Sequence, residues 1–313
     1  MAQKYDVIII GAGPAGMAAA TYASRANLSV LMIDKGIYGG QMNDTAEVEN
    51  YPGFDSILGN ELAEKMYASS TRFGAEYVFG EVENVIDHGA SKLVVTDDEQ
   101  YETKVVVVAS GATHRHLSVP GEEEYAGRGV SYCAVCDGAF FKGEQVTVIG
   151  GGDSAIEEAT YLANLAKQVT IVHRRDTLRA SKIAQKRAFD KANIDFSWNK
   201  ETREILGDGE KVTGIRVFDK DKQEESIIKS DGVFIYVGIT PNTQGLEKLG
   251  ILDDKGWVLT DENMQTKVNG VFAVGDVRKP SIRQIASAVG DGAVAGKLLF
   301  DYIQTLTDSQ VKA

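Results

Sequence analysis

DVIIIGAGPAGMAAATYASRANLSVLMIDKG, residues 6–36, begins with an apolar β-branched run and breaks at a glycine turn. It then continues through an amphipathic stretch to a second apolar run. That order predicts strand, turn, helix and strand, one βαβ half of a dinucleotide-binding fold. The order recurs without a gap in QVTVIGGGDSAIEEATYLANLAKQVTIVHRR, residues 145–175. Gly11 and Gly13 fall on Gly150 and Gly152, and the third position holds Gly16 in one copy and Ala155 in the other. The first glycine permits a tight turn, the second lets backbone approach a pyrophosphate, and the third lets helix and strand pack closely. The N-terminus of the helix then faces the anion. Two copies in the required context predict two nucleotide sites.

The copies differ where nucleotides differ. The second strand of copy one ends in Asp34, a carboxylate placed to accept hydrogen bonds from a free ribose 2′-hydroxyl. The matching position in copy two is His173, followed by Arg174 and Arg175, with Arg179 one turn on. Guanidinium groups suit a 2′-phosphate that a carboxylate would repel, which favours NADP(H) over NAD(H).

Each copy is followed by a β-rich segment and a returning strand. The first return is the valine run of YETKVVVVASGATHRH, which stops at Ser110-Gly111-Ala112, and the second is SDGVFIYVGITPN. VNGVFAVGDV, residues 268–277, adds one more strand, and a helix follows over roughly 282–306. Residues 270–313 hold no βαβ unit of their own and therefore rejoin the first domain. The expected fold is α/β, with two Rossmann-like domains, the second inserted into the first. The expected boundaries are 1–113, 114–243 and 244–313. The stretches 113–120 and 238–245, with Gly and Pro for turns, are the candidate hinges.

The chain of 313 residues exceeds one comfortable core, in keeping with two domains. A formal charge of −12 argues against a nucleic-acid or anionic-membrane surface. There is no apolar run of transmembrane length, and the N-terminus runs straight into the glycine turn without a signal-peptide pattern, so a cytoplasmic protein is expected. In that compartment a CxxC pair is catalytic or metal-binding more often than structural. Both cysteines of the chain, Cys133 and Cys136, lie in SYCAVCDG, residues 131–138. On spacing alone the pair could clamp half of a zinc site, brace a turn or carry electrons as a reversible disulfide.

Across nearly its whole length the chain resembles the low-molecular-weight, bacterial-type thioredoxin reductases. The resemblance is carried by GAGPAG (11–16), GGQ (39–41), EVENYPG (47–53), CAVCDG (133–138), GGGDSA (150–155), HRRD (173–176), GVFAVGDV (270–277) and RQ (283–284). It implies a homodimeric flavoprotein in which an NADPH domain is inserted into an FAD domain. FAD would lie on Gly11, Gly13, Pro14, Ala15 and Gly16, with Asp34 and Lys35 at its adenosine end. Gly40, Gln41 and Asn50 would line its middle, Gly275 and Asp276 its ribityl chain, and Arg283 and Gln284 its flavin end, with Gly111 also among the cofactor-binding residues. NADPH would lie on Gly150, Gly152, Asp153, Ser154 and Ala155, with His173, Arg174, Arg175 and Arg179 at the 2′-phosphate.

The same resemblance implies hydride transfer from NADPH to the flavin and two electrons onward to a Cys133–Cys136 disulfide, which reduces thioredoxin. It makes Cys136 the thiol beside the flavin and Cys133 the thiol that attacks the partner. A pair is needed because the mixed disulfide must be resolved by a second thiol. Asp137, if burial raises its pKa, is the candidate general acid. Three alternatives remain, of which a nucleotide-sensing scaffold without turnover is weakened by the CxxC pair. His114 and His116 could join the cysteines in a zinc site. The disulfide partner could instead be a glutaredoxin-like protein or a peroxidase.

Overall fold

The structure, a computed structural model, describes residues 2–45, 47–279 and 282–311. The chain divides into two compact units, Met1–Thr113 with Thr240–Ala313, and His114–Ile239. The sequence puts the second crossing at 243, and the structure puts it at 239/240.

In the first unit a seven-stranded sheet runs in the order Glu76–Phe79, Val30–Asp34, Gln3–Ile10, Gln100–Val108, Lys92–Thr96, Val82–Asp87. Its seventh strand, Val271–Ala273, pairs in parallel with Val106–Val108, so the late segment returns to the valine run. Val7, Ile8, Ile9 and Val105 to Val108 are fully buried. Strands covered on both faces are apolar at every position, as a parallel sheet between helices requires. The helices Pro14–Arg25 and Ile285–Val311 pack together on one face. Their closeness depends on glycine: a Cβ on Gly292 would stand 2.1 Å from the Ala15 carbonyl oxygen, and one on Gly296 2.7 Å from that of Ala19.

The second unit repeats this plan. Its five strands run Val130–Ser131, Gly232–Tyr236, Gln145–Gly150, Gln168–Val172, Ile194–Ser197, and all its pairings are parallel. In both units the first strand of the repeat lies between its own second strand and the returning strand. The helix Asp153–Leu162 buries Ala155, Ile156, Ala159 and Leu162 against this sheet. A three-stranded antiparallel sheet, Lys200–Gly207, Val212–Asp219 and Glu224–Lys229, covers the other face through Ile205, Ile215 and Val217.

Candidate functional site

The first glycine turn is shaped from inside the protein and open to the outside. Gly11 sits at φ +105°, where a Cβ would lie 2.4 Å from the Ala109 carbonyl oxygen. A Cβ on Gly16 would lie 2.0 Å from the carbonyl oxygen of Gly11. A Cβ on Gly13, by contrast, would meet no protein atom within 4 Å. Pro14, which needs no N–H partner, opens the helix there, and no side chain caps its N-terminus. Ala15 is buried behind it, and a Cβ on the exposed Gly40, in the neighbouring loop, would lie 3.6 Å from the Gly13 Cα. Open backbone at a helix N-terminus fits a pyrophosphate.

Side chains around the turn suit the rest of a flavin dinucleotide. The Asp34 carboxylate accepts the N–H of Ala12 at 2.6 Å and of Gly36 at 2.8 Å, tying the turn to the loop beside it. Each oxygen keeps a lone pair for a hydroxyl. Lys35 is exposed and pairs with Glu81 at 3.1 Å. Gln41 donates to the Ala112 carbonyl, next to Gly111 at φ +68°. Asn50 donates to the Gln284 side-chain oxygen at 3.1 Å, joining residues 234 positions apart.

Gly275, at φ +70°, rests on Ala15 and donates its N–H to Asp291 at 3.0 Å. Its neighbour Asp276 borders a cleft with Ser287 and Asp291. Burial pushes the Asp276 carboxyl up to about 6, against the pull of Arg283. The Arg283 guanidinium stacks over Trp257 at 4.6 Å, and its Nε is buried without a hydrogen-bond acceptor among the described residues. An open cradle, a buried donor with no acceptor among the described residues and a half-buried acid held at about 6 fit FAD.

The second turn has the same logic. Gly150 pairs in register with Tyr236, and a Cβ on it would stand 2.6 Å from the Tyr236 carbonyl oxygen and 2.7 Å from the Ala155 Cβ. A Cβ on Gly152 would again meet nothing within 4 Å. Asp153 and Ser154 are exposed at the start of the helix, and Asp153 accepts the Ser181 N–H at 2.7 Å. Arg174, Arg175 and Arg179 are all exposed, and Arg175 and Arg179 make no ion pair among the described residues. His173 differs from them. Its ring is buried directly under Gly151, its Nε2 lies 3.1 Å from the Thr177 carbonyl, and burial together with Arg179 and Arg175 lowers its pKa. The imidazole therefore supports the turn as a neutral ring. The exposed cations beside it fit the 2′-phosphate of NADPH.

Cys133 and Cys136 are joined in a disulfide. Cys133 is extended and precedes a single helical turn, Ala134–Asp137, and the Cys136 N–H points at the Cys133 Sγ at 3.2 Å. Asp137, half-buried, accepts the Ser131 hydroxyl at 2.5 Å. Burial raises its pKa and the Ser131 hydrogen bond opposes the rise. The carboxyl that a general acid needs is thus present beside the cystine.

Three contributors escape a reading of the sequence. Ser131 is one, and Tyr236 is another, its hydroxyl accepting the Ala134 N–H at 2.7 Å. The third is Glu122, 2% exposed, which accepts the backbone N–H groups of Leu117 and Ser118 and the Tyr132 hydroxyl. Only Ser131 had a local signal, two residues before Cys133 on the strand that delivers it. His116 bonds the same Tyr132 hydroxyl and His114 stacks on its ring, while the two sulfurs are spent on each other, so no zinc ligand set is assembled among the described residues.

The sequence profile described as Pyridine nucleotide-disulphide oxidoreductase matches residues 5–292. The chain is 55% identical over 305 residues to the thioredoxin reductase of Listeria monocytogenes, covering 97% of this chain and 96% of that protein. It is 53% identical to the thioredoxin reductase of Bacillus subtilis over the same shares. Among solved structures, thioredoxin reductase from Streptococcus pyogenes matches with a TM-score of 0.94 at 50% identity, covering 97% of this chain and 100% of that one. Thioredoxin reductase from Giardia duodenalis matches at 0.92 and 35% identity, covering 96% and 99%.

Proposed function

The chain belongs to the pyridine nucleotide-disulphide oxidoreductase family, and from that membership we infer that it is an NADPH- and FAD-dependent thioredoxin reductase. The observation that carries the reading is the Cys133–Cys136 disulfide, set beside a half-buried acid in the unit that also holds a dinucleotide turn. Bound FAD supplies the two-electron link between NADPH and the cystine.

The residues divide the remaining work. The turn at 11–16, with Asp34 and Asp276, holds FAD in the first unit. The turn at 150–155, with Arg174, Arg175 and Arg179, holds NADPH in the second. Cys133 is the thiolate that attacks thioredoxin's disulfide, stabilised by the Cys136 N–H. Cys136 resolves the mixed disulfide, so that two thiols appear on thioredoxin as the Cys133–Cys136 bond closes again. Asp137 gives a proton to the departing thiolate and recovers it from water. A homodimer and a cytoplasmic location complete the proposal, on the resemblance to bacterial thioredoxin reductases.

The test is spectral. NADPH should bleach the flavin bands of the purified protein under anaerobic conditions, and oxidised thioredoxin should restore them. Cys133→Ser should keep FAD and lose thioredoxin turnover. Full turnover by that variant would overturn the reading.

A further inference from the structure

Within the cystine turn, most backbone N–H groups find acceptors close in sequence. That of Cys133 reaches the Ser131 hydroxyl, that of Cys136 reaches the Cys133 Sγ, and that of Asp137 reaches the Cys133 carbonyl. The Ala134 N–H instead leaves the segment. It donates at 2.7 Å to the hydroxyl of Tyr236, 102 residues away on the returning strand. Ala134 is fully buried, so water does not replace that acceptor. Burial holds the Tyr236 phenol well above its ordinary pKa, with Glu158 and Asp137 adding to the rise, so it accepts this bond as a neutral hydroxyl.

Tyr236 has a second attachment. It pairs with Gly150 in the sheet register, and its carbonyl fills the space where a Cβ of that glycine would stand. One residue therefore touches the first glycine of the second nucleotide turn with its backbone and the cystine turn with its side chain.

The consequence appears on reduction. While the disulfide is closed, a covalent bond sets Cys133 against Cys136. Once it opens, the placing of the Cys133 Sγ on the Cys136 N–H depends on how firmly the intervening peptides are held. We propose that Tyr236 is a positioning residue of the reduced enzyme, fixing the Ala134 peptide so that the Cys136 N–H stays aimed at the Cys133 thiolate. This rests on the reading of the pair as the couple that reduces thioredoxin. The step served is attack of that thiolate on the partner's disulfide sulfur: one S–S bond forms as another breaks, and the partner's second sulfur leaves with the electron pair.

The test uses the FAD-bound enzyme and Tyr236→Phe, which keeps the ring and removes the acceptor. After reduction with dithiothreitol and its removal, alkylation by iodoacetamide is followed against pH. The chain has two cysteines, so the signal reports this pair alone. The expected result is an alkylation midpoint about one pH unit higher than wild type, the loss of one hydrogen bond to a charged group. Turnover with thioredoxin should fall about threefold, because fewer thiolates are present but each is more nucleophilic, while bleaching of the flavin by NADPH stays within about twofold.

Tyr236→Leu removes the ring as well as the acceptor, and it should move the midpoint as far as Tyr236→Phe, because the acceptor and not the ring holds the Ala134 peptide. An unmoved midpoint in Tyr236→Phe, or a shift confined to Tyr236→Leu, would overturn the proposal. The alkylation profile needs no thioredoxin, so it stands apart from the functional reading, which fails instead if the wild-type enzyme does not reduce thioredoxin.

Discussion

Ser131 and Asp137 meet hydroxyl to carboxyl at 2.5 Å, and the contact works against the burial that raises the acid's pKa. A general acid acts while protonated, so its contribution is present below its pKa and is lost as pH rises through it. Ser131→Ala removes the lowering influence. The alkaline limb of kcat/KM for thioredoxin should then move to higher pH. Asp137→Asn should lower the rate about 10²-fold at neutral pH, within the usual range for an acid catalyst. Rapid-mixing measurements across pH 5–10 check both, and an unmoved limb in Ser131→Ala would show that another group sets it.

The glycines separate fold from binding. Gly13 and Gly152 have φ of −76° and −93°, conformations open to any residue, and a Cβ on either meets no protein atom. Gly13→Ala should melt within a few degrees of wild type yet lose FAD affinity at least about tenfold, or ~1.4 kcal/mol. Gly152→Ala should do the same to NADPH. Gly11→Ala is different, because the new methyl runs into Ala109 at a left-handed φ. It should destabilise the first unit by about 3 kcal/mol or more. Thermal melts with and without added FAD distinguish the two classes.

Among the arginines, Arg175 and Arg179 are exposed without an ion pair among the described residues, whereas Arg174 already acts on Glu201 alongside Lys220 and Arg203. Arg175→Gln should weaken NADPH about 10–100-fold, the worth of hydrogen bonds to a charged group, and leave NADH nearly unchanged. The loss with Arg174→Gln should be smaller. KM values for the two nucleotides at fixed ionic strength give the comparison. Equal losses for NADPH and NADH would show that these groups do not read the 2′-phosphate.

Asp276 links flavin binding to pH. Its folded-state pKa is about 6, above the ordinary carboxyl value, so the folded protein binds the proton more tightly than the unfolded chain does. Stability therefore falls as pH rises from about 4 to about 6 and stays low above that window. In flavin-stripped protein Asp276→Asn should be more stable than wild type at pH 8, by up to about 3 kcal/mol, with the gain shrinking towards pH 5. The same variant should hold FAD more weakly. Denaturant titrations at the two pH values, with and without FAD, check the sign.

The features legible in the sequence are those whose constraint is local and repeated. Glycine at 11, 13, 150 and 152 is demanded by the turn itself, and the repeat marks both units. The returning strands were readable as apolar runs, although their place beside the first strand of each repeat belongs to topology. Tyr236 was not readable, because its meaning lies in a bond across 102 residues. Glu122 sits in GEEEY, which looks like a solvated acidic run, yet it is buried by the two loop N–H groups it accepts. His173 had the right position for a phosphate reader, but only packing reveals that its ring lies beneath Gly151.

The discontinuity of the first unit has a consequence during synthesis. The second unit, His114–Ile239, is contiguous and can close as soon as it has left the ribosome. The first cannot. Until Val271–Ala273 and the helix from Ile285 are made, one edge of the valine run 105–108 lies unpaired and the Ala15–Ala19 side of the first helix lies bare. The nascent chain must thus carry an unfinished, apolar sheet while it builds a complete domain behind it. Its vulnerable interval is the time needed to translate the second unit, and any pause there lengthens the exposure to aggregation and to chaperones.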